Sequence, residues 1–226
     1  MKGKLLAGAC ALCMVVVATS CTGESTPSDP ALHPTASENQ GRRAHPRTAA
    51  PQQQLNRRAE QDYLCIPERC RASGRLQARS LNEARWLIEN GYPSEDESKR
   101  LSLLNTAQLG IEADAGNRAA QVLYGKRIAV ESNFLSGLTI LRQAAQAGSL
   151  YAYYGISDAY LEGSSADPIN SYAYLRLAYI LGDSKAAGEL AGRDLSSIER
   201  AVADERASSL YRTFAEERAP SVRPLE

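Results

Sequence analysis

Histidine is almost absent from this chain. The 226 residues include two histidines, His33 and His45, and both precede the helical part of the sequence. A Ser-His-Asp triad or a histidine-based metal centre needs imidazole groups inside the folded part of a protein. The sequence therefore excludes both kinds of site from its helical region.

The chain also lacks an excess of charge and a second long apolar run. Removal of an N-terminal leader containing Lys2 and Lys4 would leave 24 of the 26 basic residues, against 26 acidic residues. Because nucleic-acid-binding domains present a basic surface, this balance excludes a broad basic footprint. No apolar run after the leader is long enough for a bilayer, so we do not expect the mature chain to span a membrane.

The first twenty residues have the pattern of a secretory signal peptide. Lys2 and Lys4 precede an uncharged, mostly apolar run over residues 5–18, and small residues then lead to Cys21. This run is too short for a transmembrane helix. We therefore expect residues 1–20 to be removed on export.

The end of the leader resembles the lipobox of bacterial lipoproteins, although Ala18 stands where that family usually has leucine. The resemblance implies that Cys21 becomes a lipidated N-terminus, with ordinary cleavage after Ser20 as the alternative. Thr22 after the cysteine is similar to the outer-membrane default of bacteria with two membranes. The resemblance thus implies an anchor facing the periplasm, in the outer membrane.

Cys65 and Cys70 are the cysteines that remain after the leader and Cys21 are set aside. An exported protein folds where disulfides persist. Five residues on a helix rise about 7.5 Å, which exceeds the roughly 7 Å limit between bridged Cα atoms. A Cys65–Cys70 disulfide therefore predicts a turn, which Pro67 suits, and a redox-active pair is the alternative.

Residues 21–60 are rich in proline, serine, threonine, glutamine and arginine and show no apolar periodicity. This composition predicts a disordered tether behind the lipidated cysteine. Its five arginines could contact an anionic surface, or the segment could be a solvated linker.

From about residue 78 to 218 the apolar residues recur at helical spacing. Residues 61–98 are predicted to hold the cysteine turn and an N-terminal helix that Gly91 and Pro93 end. Residues 99–218 are predicted to form a helical repeat domain. A final capping helix begins at a capping box of Ser196 and Glu199. Its predicted apolar stripe consists of Leu195, Ile198, Val202, Leu210, Tyr211 and Phe214.

A repeat organises this region. Gly116, Gly148 and Gly182 are separated by 32 and 34 residues. Four residues after each glycine stands an alanine, namely Ala120, Ala152 and Ala186. This pattern predicts that each glycine ends a helix in a left-handed cap and that the small residues allow close packing. Helix hairpins of this kind must stack to bury their apolar faces.

The segment Gly148–Gly163, with Ala152, Tyr154, Ile156 and Tyr160, resembles the Sel-one-like repeat, a relative of the tetratricopeptide repeat. The resemblance extends over about residues 99–195, and Gln108 and Glu112 depart from it. It implies an all-α fold, a short right-handed solenoid of stacked helix hairpins with a C-terminal capping helix. It also implies a scaffold for a protein or peptide partner, without catalysis and without a cofactor.

Seven of the eleven tyrosines lie between Tyr151 and Tyr179. Four of them fall on core positions of the repeat: Tyr154, Tyr160, Tyr174 and Tyr179. Tyr151 and Tyr153 fall off that pattern, so they either anchor a partner or pack against the neighbouring unit.

Arg118 and Gln121 belong to the corresponding helix of the preceding unit. Together with Tyr151 and Tyr153 they form the predicted partner-binding surface.

Asp158 and Glu162 share one helix face, but a glycosidase would need two carboxylates facing each other across a cleft. We expect solvated surface charge there. The sequence therefore favours a membrane-anchored periplasmic scaffold that binds a protein or peptide. The alternative is an immunity or inhibitor lipoprotein that neutralises a periplasmic toxin or a cell-wall hydrolase.

Overall fold

The computed structural model describes residues 57–66, 68, 70, 74–164, 166–216 and 219–224. The predicted signal peptide, the predicted lipidation site Cys21 and the predicted tether up to residue 56 lie outside these residues. All described residues belong to one unit, Pro46–Glu226.

The described part of the chain is helical. Residues 57–61 are helical and precede nine helices. These are α1 (Leu81–Glu89), α2 (Glu95–Ser102), α3 (Thr106–Asp114), α4 (Arg118–Glu131), α5 (Phe134–Gln146), α6 (Tyr151–Glu162), α7 (Pro168–Ile180), α8 (Ala186–Ala191) and α9 (Ser197–Phe214). Apart from one bridge between Leu64 and Ala78, the described residues form no β-structure. The predicted all-α class is confirmed.

The folded part begins before the predicted end of the tether at residue 60. Residues 57–60 are helical, and the Glu60 side chain is buried. Its carboxylate lies 3.0 Å from the Arg85 guanidinium on α1. This long-range ion pair explains why a local composition pattern placed the boundary too late.

The three repeat glycines have the predicted left-handed conformation, with φ of 91° at Gly116, 100° at Gly148 and 116° at Gly182. In each cap, the N–H of the next residue donates back to a carbonyl five positions earlier, as from Ser149 to Ala144 at 3.0 Å. This is the Schellman pattern, and it ends α3, α5 and α7 in the same way.

Consecutive helix pairs pack against one another behind these caps. Helix α4 packs on α5 and α6, α6 packs on α7, and α9 packs on α7. The three repeat alanines are fully buried. A Cβ added at Gly155 would lie 2.7 Å from Val122, so α6 approaches α4 closely at that point.

Helix α9 begins with the predicted capping box of Ser196 and Glu199. Its predicted apolar stripe is wrong at Ile198, Val202 and Phe214, which are 76%, 47% and 53% exposed, whereas Leu195 and Leu210 are buried as predicted. The buried face consists of Ala203, Ala207 and Leu210.

The predicted Cys65–Cys70 disulfide is confirmed, with Cα atoms 5.3 Å apart. The chain then returns alongside itself, since the N–H of Cys65 donates to Ala78 O and the N–H of Ala78 donates to Tyr63 O, each at 2.9 Å. We call residues 74–78 the N-terminal strap.

The C-terminal tail, residues 219–224, passes between α1 and the turn that follows α7. The N–H groups of Ser221 and Arg223 donate to Leu181 O and Gly182 O at 3.0 and 2.9 Å. The Trp86 indole N–H on α1 donates to Ser221 O at 2.9 Å. The tail therefore connects the first helix to the third glycine cap.

Candidate partner-binding face

The two tyrosines predicted as possible exposed anchors are buried. Tyr151 and Tyr153 are each 4% exposed. The Tyr151 ring packs on Tyr92, with centroids 5.3 Å apart, whereas Tyr153 lines a small cavity with Tyr174 and Phe214. The anchor prediction is wrong for both, since residues 151–157 are all buried and the two rings pack among different neighbours.

Tyr179 differs from its predicted position in the opposite sense, because it is exposed where burial was expected. The repeat pattern predicts a core position for Tyr179, but this residue is 41% exposed. The Arg176 guanidinium lies 5.2 Å from its ring centre. A cation on an aromatic face stabilises this arrangement without burial.

Arg118 and Gln121 are half-buried on α4. The Arg118 guanidinium donates to Glu89 O at 2.8 Å, at the end of α1. Arg118 therefore helps to hold α1 against α4. Because Tyr151 and Tyr153 are buried, the four residues do not form the predicted exposed surface.

Charged side chains connect the first helices of successive pairs. The Lys126 ammonium on α4 lies 2.8 Å from Glu162 and 3.4 Å from Asp158, both on α6. Asp158 and Glu162 thus share a face as predicted, and both neutralise one lysine. The pKa of Lys126 is raised, because these carboxylates outweigh the opposing effect of burial.

Arg75 extends this set of charges to α8. Its guanidinium lies 3.0 Å from Glu189 on α8 and 3.8 Å from Asp158 on α6. Its central carbon lies 5.0 Å from the Tyr154 ring centre and 5.9 Å from that of Tyr151. We call Lys126, Asp158, Glu162 and Glu189 the charged face, with Arg75 placed on it by the strap.

Sequence reasoning missed Arg75 because it lies in a stretch without periodicity. Burial opposes its charge, but Tyr151, Glu189 and Asp158 together raise its pKa. Only the fold brings residues 75 and 189 together, so no spacing could have indicated the pair.

Beneath the strap lies a second arginine site, which we call the clasp. Arg223 is fully buried, and its guanidinium lies 2.7 Å from Glu83 and 3.2 Å from Asp183. It also donates to the backbone oxygens of Arg75 and Gln77 at 3.0 and 2.8 Å. Asp183 in turn accepts hydrogen bonds from two tyrosine hydroxyls, Tyr92 at 2.7 Å and Tyr154 at 2.6 Å.

The clasp and the charged face differ in strength. Removing Arg223 would leave two buried carboxylates without their cation, which costs about 3–5 kcal/mol. The Arg75 side chain is 27% exposed, and partly exposed ion pairs contribute only about 0.2–1 kcal/mol. The clasp is therefore a permanent part of the fold, whereas contacts on the charged face can exchange.

A groove of about 270 Å³ adjoins the charged face between α2, α4 and α6. Its lining includes Leu123, Lys126, Arg127 and Glu162. It combines apolar walls with charges of both signs, which suits a polypeptide better than a single small ion.

Within the described residues, no group of three or more potential metal-ligating side chains occurs. No helix in this part of the chain combines the length and apolarity needed to cross a bilayer. Comparisons with models of known protein families, with curated proteins and with solved structures found no match.

Proposed function

We propose that this chain is a lipid-anchored scaffold of the cell envelope that binds a protein or peptide partner on its charged face. The role is one of binding, without catalysis or a cofactor. We place the partner surface on the partly exposed charges of α4, α6 and α8, since Tyr151 and Tyr153 are buried. Arg118 and Gln121 lie on α4, the helix that also carries Lys126.

The observation that carries this proposal is the exposure of those charges. Asp158, Glu189 and Lys126 have side chains between 19% and 25% exposed, and Glu162 is 52% exposed. Charges serving only stability gain little at such exposure. A row of both signs across three helices, beside a groove, can steer and orient a partner of complementary charge.

The fold supports the same proposal. We infer that the helix pairs form a short right-handed solenoid of Sel-one-like repeats, with α9 as its cap. The shared Schellman caps at Gly116, Gly148 and Gly182 and the buried alanines behind them support this inference. Stacked helix pairs present extended surfaces that suit polypeptide binding.

The cellular location of the protein is proposed from the leader sequence, residues 1–20, and from Cys21. We infer export, lipidation at Cys21 and attachment to the outer membrane, facing the periplasm. The native chain should incorporate labelled palmitate in cells, and Cys21→Ser should not. Equal incorporation by Cys21→Ser would contradict lipidation at Cys21.

An affinity capture from envelope extract tests the binding role with the full chain as bait. Glu162→Lys reverses a charge on the proposed face, while Glu205→Lys reverses an exposed charge on α9. We expect the control to recover the same partner as the native chain, and Glu162→Lys to recover roughly ten-fold less.

Equal recovery by both variants would contradict the proposed face. The same experiment separates the scaffold from an immunity or inhibitor lipoprotein. One stoichiometric partner with toxin or hydrolase activity, inhibited on binding, would favour the latter.

A further inference from the structure

The charged face contains a built site for an arginine side chain, and the chain's own Arg75 occupies it. Two carboxylates and two aromatic rings surround one guanidinium: Glu189 and Asp158 lie within 3.8 Å, and Tyr154 and Tyr151 lie beneath it. Carboxylates and ring faces are the groups that recognise a planar cation.

The balance of charge on the face favours a cation at this position. Lys126 is the face's own cation, and it stands against the carboxylates of Asp158, Glu162 and Glu189. Without Arg75 the face has two carboxylates in excess, and Arg75 neutralises one of them. A second arginine can therefore replace Arg75 without changing the charge of the face.

The Arg75 side chain can leave while the strap stays in place. The strap backbone is held by Arg223 through the carbonyls of Arg75 and Gln77. Ala78 is paired with Tyr63 and Cys65. None of these bonds involves the Arg75 guanidinium, which is partly exposed.

We propose that the site formed by Tyr151, Tyr154, Asp158 and Glu189 accepts an arginine side chain from the partner, and that Arg75 fills this site in the free chain. This inference rests on the proposed function and gives the partner a chemistry, a peptide with an accessible arginine. The partner's arginine must displace Arg75, so the free chain holds its site closed against weak ligands.

A titration with the tripeptide acetyl-Gly-Arg-Gly-amide tests this site, monitored by the NMR signals of Tyr151 and Tyr154. The native chain presents Arg75 to the site at an effective concentration of about 1 mM or more. The full chain carrying Arg75→Ala should therefore bind the tripeptide roughly ten-fold more tightly than the native chain. The citrulline tripeptide, which has the same shape but no charge, should not bind.

Two controls assign the effect to the site. Arg85→Ala removes an arginine that pairs with Glu60, away from the face, and should bind like the native chain. Adding Asp158→Asn and Glu189→Gln to Arg75→Ala should abolish the gain. If Arg75→Ala does not fold, Arg75→Gln keeps most of the side-chain stem and serves in its place.

Equal binding by the native chain and the Arg75 variant would overturn the proposal, as would equal binding of the arginine and citrulline peptides or no binding at all. These failures are distinct from failure of the proposed function. If Glu162→Lys still reduces partner recovery, the face binds a partner by other groups and only the arginine site is wrong.

Discussion

At the scale of single residues, Asp183 concentrates the polar chemistry of the core. Its carboxylate accepts from Tyr92, Tyr154 and Arg223 and from the backbone N–H of Lys185 at 3.0 Å. A buried carboxylate is tolerated only when its acceptor positions are filled. Asp183 directly follows Gly182, so the glycine cap places this carboxylate at the centre of the clasp.

The tyrosines around this cluster predict a loss of stability in alkali. Burial, followed by the negative charges of Glu97 and Asp62, raises the pKa of Tyr63 to about 12. Burial and Asp183 raise the pKa of Tyr92 and of Tyr154 well above 10. The unfolded chain ionises near pH 10, so the stabilising contribution is complete below that pH and is lost as pH rises through the folded values.

We therefore expect the urea midpoint to fall between about pH 9 and about pH 11.5, and Tyr63→Phe to reduce the slope of that fall. Urea unfolding followed by circular dichroism at each pH measures it. A midpoint that does not change over this range would contradict the assignment of these hydroxyls as un-ionised in the fold.

At the scale of elements, the glycine caps give the sharpest test. Gly116 has φ of 91°, and no atom lies within 4 Å of a Cβ added there, so Gly116→Ala isolates the cost of backbone strain. We expect a loss of about 1–2 kcal/mol. Gly192 ends α8 with φ of −81°, and Gly192→Ala should be neutral or stabilising by up to about 1 kcal/mol. Urea unfolding of both variants makes the comparison, and equal effects would contradict it.

Features that recur locally could be predicted from sequence. The glycine caps, the alanines after them and the α9 capping box all depend on spacings of a few residues. Even the departures from the repeat at Gln108 and Glu112 have local explanations: Gln108 completes a capping box with Asn105, and Glu112 pairs with Arg100.

Helix α9 shows where periodicity alone fails to identify the buried face. At about 100° per residue, Ile198 and Ala207 point to opposite sides of the helix. A single buried stripe therefore cannot include both residues. The larger residues suggested the buried side, yet α9 packs on α7 through Ala203 and Ala207, because small residues allow close approach. On this helix the size of an apolar side chain did not indicate whether it is buried.

At the scale of the whole molecule, the clasp connects parts of the chain that share no pattern. Arg223 joins Glu83, which lies 140 positions earlier, and it also fixes the strap. A single arginine in a proline-flanked tail gives no periodic signal. The sequence therefore could not predict that the tail contacts the strap and α1. It also could not predict that the strap places Arg75 on the charged face.

Removing the Arg223 side chain measures how much the clasp contributes to the free energy of unfolding. Arg223→Ala leaves Glu83 and Asp183 buried without their cation, and we expect a loss of about 3–5 kcal/mol in the free energy of unfolding. The exposed Arg212→Ala on α9 should change it by less than about 0.5 kcal/mol. Domain stabilities are only about 5–15 kcal/mol, so the loss is a large share of the total.

Hydrogen exchange locates where that loss falls. The strap and α1 contact the tail directly, whereas α4 and α5 pack on each other, on α3 and on α6. In Arg223→Ala, amides of the strap and α1 should exchange faster than in the native chain, while those buried between α4 and α5 keep most of their protection. A uniform rise in exchange across all helices would instead mean that the clasp and the helix pairs unfold as one cooperative unit.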